Sequence, residues 1–171
     1  MYYKVVQPIS TDRPEWEKYL SWRKLSFTSL DSLDSFLQPD LFEARTAEDW
    51  QHCVNEDFKL NLITDSDYAF AVASRYPVAR VLGVEIELER AVEKNENLLG
   101  YDILDRYCAN SLLTNWGKDG LSFINQNLMP NGLLNSFDDA KHIRDRLRVE
   151  YPDDDHASHC QIWAVYEVSQ T

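Results

Sequence analysis

Val84-Glu85-Ile86-Glu87-Leu88-Glu89 alternates apolar and acidic residues without a break. A period of two over six residues is the signature of a strand with one dry and one wet face, so 81–89 is expected to be a strand. Its neighbours follow from the same reasoning. Residues 91–97 are polar and suit a hairpin connection, and 98–105 suit the return strand. Four further strands are expected at 2–7, 59–64, 111–116 and 160–168. The last is apolar on both faces and therefore central. Helical patterns lie between them. Asp12, Pro14 and Glu15 open one that runs to Arg23, with Trp16 and Leu20 on one face. Thr46-Ala47-Glu48-Asp49 opens a second, and 68–75 is a short apolar helix. Ser136 with Asp139 caps the clearest one, in which Ala140, Ile143 and Leu147 make the buried stripe before Pro152. Weaker patterns place a short strand at 25–30, a short helical stretch at 31–38 and a helical turn within 121–128.

Hairpin-like strand pairs mixed with isolated helices lack the regular alternation of a doubly wound fold. The expectation is α+β: one domain over residues 1–171, with a mainly antiparallel sheet and three to five helices packed against it. The predicted core is Val84, Ile86, Leu88, Ile103, Ile143, Leu147, Ile162 and Ala164. Composition agrees with a folded chain. Leu, Ile, Val and Phe make 45 of 171 residues, above the roughly 20% below which charged chains stay disordered. No apolar run approaches the roughly 18 residues of a membrane span, and the first residues read as a strand rather than a signal peptide.

The net charge is −12, from 29 acidic and 17 basic residues. That balance disfavours direct nucleic-acid binding, which rests on neutralising phosphates with Lys and Arg, and it disfavours anionic membranes as well. Residues 31–67 hold ten acidic groups against Arg45 and Lys59. The plain reading of this segment is a solvated, solubilising surface. The sharper one is a docking surface, since clustered charge steers an oppositely charged partner. Cys53, Cys108 and Cys160 are odd in number and widely spaced, with no CxxC, as expected of free thiols in the cytoplasm.

Chemistry-bearing constellations are few. The run 153–160 gathers three Asp, His156, His159 and Cys160, but no distant pair completes a zinc set and the calcium-loop spacing fails. A helix-to-strand connection is the expectation there, with a metal site as the alternative. Glu85, Glu87 and Glu89 would stand about 7 Å apart along one wet strand face, too solvated for acid–base work. His142 sits on the capped helix among Lys141, Arg144, Arg146 and Arg148, with acidic residues interleaved. No GxSxG, HExxH, GxxxxGK[ST] or GxGxxG occurs. The chain is aromatic-rich, with five Trp and nine Tyr.

In this general character, small, acidic, aromatic-rich and without catalytic motifs, the chain is similar to bacterial immunity proteins, which neutralise toxins. The expected function is a non-catalytic cytoplasmic interaction protein that binds a basic protein partner. No catalytic residues, metal or cofactor are expected. The expected partner-binding residues are Asp40, Glu43, Glu48, Asp49, Trp50, Glu56, Asp57, Glu85, Glu87 and Glu89, with Trp50 as anchor. The alternatives are a small hydrolase or transferase built from residues distant in sequence, among them His142 and His156, and a metal-binding protein using 153–160.

Overall fold

The computed structural model describes residues 1–56, 59–93, 95–116 and 122–170. Four strands, β1 (Tyr2–Val6), β2 (Arg80–Glu85), β3 (Leu98–Leu104) and β4 (Gln161–Glu167), form one antiparallel sheet in the order β1-β2-β4-β3. The described residues also hold α1 (Pro14–Arg23), α2 (Asp49–His52), α3 (Ser66–Ala73), α4 (Ser122–Asn125), α5 (Phe137–Glu150) and α6 (Asp155–Ser158). The fold is α+β.

β4 is buried on both faces, so it takes an inner place in the sheet. β3 pairs with it rather than turning back on β2 as a hairpin. At Gly100 the β3 ladder bulges and φ is +146°. A Cβ there would stand 2.7 Å from the Leu134 carbonyl, so only glycine fits. Both outer edges of the sheet are covered. Leu41 N–H donates to Val5 O, and Tyr3 bridges Ile63; across the sheet, Leu134 and Ser111 bridge Tyr101 and Leu104. Edges covered in this way cannot template strand addition.

The two faces of the sheet are covered differently. On one, α3 packs against β1 and β2, and α5 packs against β3 and β4. Val5, Val81, Ala69 and Val72 form one apolar cluster there, and Ile103, Ile143, Leu147, Ile162 and Ala164 belong to another. The Ser136 side chain caps α5 by accepting from Asp139 N–H, as its sequence predicts. The other face carries Val6, Leu82, Val84, Leu104, Trp163 and Val165, under segments without regular structure that contribute Leu33, Val54, Leu62, Cys108 and Leu133.

Several expected elements resolve otherwise. The strand expected at 81–89 ends at Glu85, because Glu87 adopts φ +54° and the chain turns so that Leu88 N–H donates to Ile162 O. Ile86 and Leu88 are therefore only partly buried; the other six predicted core residues are buried. Neither 59–64 nor 111–116 forms a strand. Ile63 makes isolated bridges to Tyr3 and Cys53, and residues 112–114 turn away after the single bridge at Ser111. Segment 31–38 is not helical and 25–30 is not a strand. The Asp34 carboxylate instead accepts from Phe36 and Leu37 N–H, closing a tight turn. α1 begins at Pro14 with Arg13 before it, so Asp12 is not its cap.

Candidate functional site

Two concave regions adjoin the loop 106–110, one lined by Tyr107, Cys108 and Ala109 and the other by Asn110. The larger is a groove of about 1030 Å³. Five of the expected partner-binding residues line it: Asp40, Glu43, Asp49, Trp50 and Glu56. Leu41, Phe42 and Leu60 supply apolar surface, and Arg45 and Arg75 supply positive charge. Trp50 (43% exposed) and Tyr76 (40% exposed) are large rings left open to solvent in its wall.

The groove's acids are held to their own chain in different ways. Asp49 is buried at the start of α2. Its carboxylate accepts from Arg45 N–H (3.0 Å), Thr46 N–H (2.7 Å) and Tyr68 O–H (2.7 Å). Those donors, Tyr68 foremost, hold it well below the usual carboxylate range. Tyr68 is fixed in turn by stacking on His52, with ring centroids 4.1 Å apart. Asp40 pairs with buried Lys4 at 3.2 Å and accepts from Ser35 O–H and Asn61 N–H. Glu43 pairs with Arg45 at 2.8 Å and Glu56 with Lys59 at 2.9 Å; the side chains of Glu43 and Glu56 are 60% and 62% exposed. The Glu43–Arg45 pair is exposed on both sides and so exchanges readily, whereas Glu56 reaches out to a buried Lys59 that also holds Glu87.

The ladder of Glu85, Glu87 and Glu89 does not exist as one face. Glu87 reaches Lys59 at 2.5 Å, opposite Glu56 on the same ammonium. Glu85 lies by Tyr166, whose hydroxyl is pushed up to about 12 by burial and then by that carboxylate. Glu89 extends toward Arg144, 3.8 Å away. The left-handed turn at Glu87 is what scatters them. Glu48 is exposed but does not line the groove, and Asp57 lies outside the described residues.

The smaller region is a cleft of about 560 Å³ lined by Phe36, Asn110, Leu112, Asn115, Trp116, Asp154 and His156. His156 Nδ1 lies 2.8 Å from Oδ2 of Asp105, a fully buried carboxylate. His142 is exposed on α5 and away from both regions. Cys160 is buried in the α5 core, while His159 is exposed beside Ser158, so the run 153–160 disperses its donors. Among the described residues no three His, Cys, Asp or Glu side chains are grouped to hold a metal ion. Burial pushes the Cys108 and Cys160 thiols up to about 11, away from the thiolate needed for nucleophilic chemistry.

Sequence reasoning missed the pairing of Asp105 with His156 and the burial of Lys4 beside Asp40. Neither has a local signal, since the partners lie 51 and 36 positions apart. No protein-family model matches this chain, and no curated protein or solved structure matches it. Among the described residues no helix is long and apolar enough to cross a membrane.

Proposed function

We propose that this chain is a cytoplasmic interaction protein whose groove receives a basic segment of a protein partner and thereby neutralises or regulates it. The observation that carries this reading is the convergence of Asp40, Glu43, Asp49 and Glu56 on one groove whose wall holds the open rings of Trp50 and Tyr76. Carboxylates beside exposed aromatic faces suit Lys and Arg side chains, which gain both charge pairing and contact with the ring face. Glu43 and Glu56 do the steering, because their side chains are the exposed carboxylates of the groove. Trp50 is the anchor that loses its exposed surface on docking. Asp49 shapes the groove instead, since its oxygens are already taken by the backbone and by Tyr68.

The test is capture of partners from the native host with low- and high-salt washes, followed by mass spectrometry. A basic protein released by high salt is expected. Its association should slow about tenfold or more in a Glu43→Lys, Glu48→Lys, Glu56→Lys variant, as rim charges act on the on-rate. Trp50→Ala should chiefly speed dissociation. A captured partner that is acidic, or that binds the triple variant unchanged, overturns the reading.

A further inference from the structure

The cleft beside His156 is lined by residues that do not line the groove. Asp105 is buried and its carboxylate takes three N–H donors besides the histidine: Ala109 N–H at 3.1 Å and Asn110 N–H at 3.3 Å on Oδ1, and the Asn110 amide at 2.9 Å on Oδ2. A carboxylate so occupied offers only acceptor sites, so the ring proton of His156 sits on Nδ1 and donates to Oδ2. The lone pair then lies on Nε2, which makes no hydrogen bond among the described residues, on a side chain 44% exposed in the cleft wall. A base oriented by a buried carboxylate is two-thirds of the arrangement that activates a nucleophile in acyl transfer. Among the described residues no Ser, Cys or Thr lines the cleft, and the nucleophile taken here is water.

The lining also restricts the substrate. Among the described residues that line it there is no Lys or Arg, and Asp154 adds negative charge, which disfavours phosphates and carboxylates. Phe36 and Leu112 give apolar contact, while the Asn115 amide supplies a polar group. About 560 Å³ accommodates a small molecule rather than a polymer.

We propose that this cleft is a hydrolytic site for small uncharged carboxylic esters, with His156 as general base and Asp105 as its positioning residue. His156 Nε2 takes a proton from water as the water oxygen bonds to the acyl carbon. The bond from that carbon to the ester oxygen then breaks, and Nε2 returns the proton to the departing alkoxide. Acid and alcohol leave, and the ring ends neutral as it began. The site is independent of the groove, so neither proposal depends on the other.

The test is hydrolysis of p-nitrophenyl acetate by the full chain, compared with free imidazole at four equivalents to match the four histidines. Positioned general-base catalysis contributes about 10²–10⁴-fold, and a rate at least about tenfold above the imidazole control is the expected result. His156→Gln should remove the excess, while His142→Ala and His159→Ala should retain it. In Asp105→Asn the amide N–H faces Nδ1, so the ring proton should move to Nε2, visible in the imidazole ¹⁵N shifts, with loss of the excess rate. Thermal melts check that each variant is folded; a His156→Ala variant replaces any that is not. A wild-type rate no higher than imidazole, an unchanged rate in His156→Gln, or a wild-type ring proton on Nε2 overturns the proposal.

Discussion

The two faces of the sheet solve one burial problem with different materials. The α3 and α5 face is closed by apolar side chains projecting from helices whose backbone hydrogen bonds are satisfied internally. The opposite face is closed by segments without such internal pairing, so its polar groups must be satisfied one at a time. Asp102, fully buried on β3, accepts from Leu33 N–H (2.8 Å), Ile103 N–H (2.8 Å), Ser32 O–H (3.1 Å) and Ser111 O–H (2.5 Å). Ser32 is within 2.9 Å of Thr114 Oγ1, and Asp34 accepts from Ser111 N–H. One carboxylate thus ties the 32–34 segment and the 111–114 turn to the sheet. An irregular layer is held by specific polar contacts and a helical layer by area; the first is more sensitive to a single substitution.

The largest effect is therefore expected at Asp102. Asp102→Ala leaves two buried backbone N–H groups and two hydroxyls without their acceptor, at a cost of about 4 kcal/mol. A denaturant titration giving less than the loss at Leu147 would break the comparison. Leu147→Ala, on the helical face, should cost about 3 kcal/mol through the cavity it leaves. A value near zero would mean that α5 repacks, and that its face is held by less than its buried stripe implies.

The smallest effect is a pH dependence of opposite sign for two carboxylates. Asp49 is held low by its donors, so it loses its proton more readily folded than unfolded. Its contribution is full above the unfolded value of about 3.9 and is lost as pH falls below it. The stability gap between wild type and Asp49→Asn should accordingly hold from pH 7 down to about pH 4 and begin to narrow by pH 3. Asp102 is raised, first by burial, so folding favours its protonated form. The stability it confers falls as pH rises from about 3.9 through its folded value. Asp102→Asn should lose less relative to wild type at pH 7 than at pH 3. Parallel slopes in urea titrations of the two variants would show that the two environments do not differ as described.

The legible parts of the fold were those with a local cause. The α5 stripe and its Ser136 cap follow from periodicity and cap chemistry, and the α1 start from the fixed φ of Pro14 at the first helical position, all of which act within a few residues. β4 was readable as central because its residues are apolar on both faces. The alternation at 84–89 marked a strand, but its length was misleading: Glu87 leaves the β region to reach Lys59, a contact that periodicity cannot encode. The burial of Lys4 has no local signal either: Asp40 and the Leu33 carbonyl, both distant in sequence, meet its ammonium.

By itself the sequence determined the fold class, the helical face of the sheet and the acidic weighting of residues 31–67, all of which rest on neighbours in the chain. Only the tertiary structure decided that Asp40, Glu43, Asp49 and Glu56 share a groove with Trp50, that the acidic ladder disperses, and that Asp105 sits beneath His156. Those outcomes depend on which irregular segments cover the second face. That choice is made by hydrogen bonds between residues tens of positions apart, for which composition and periodicity carry no signal.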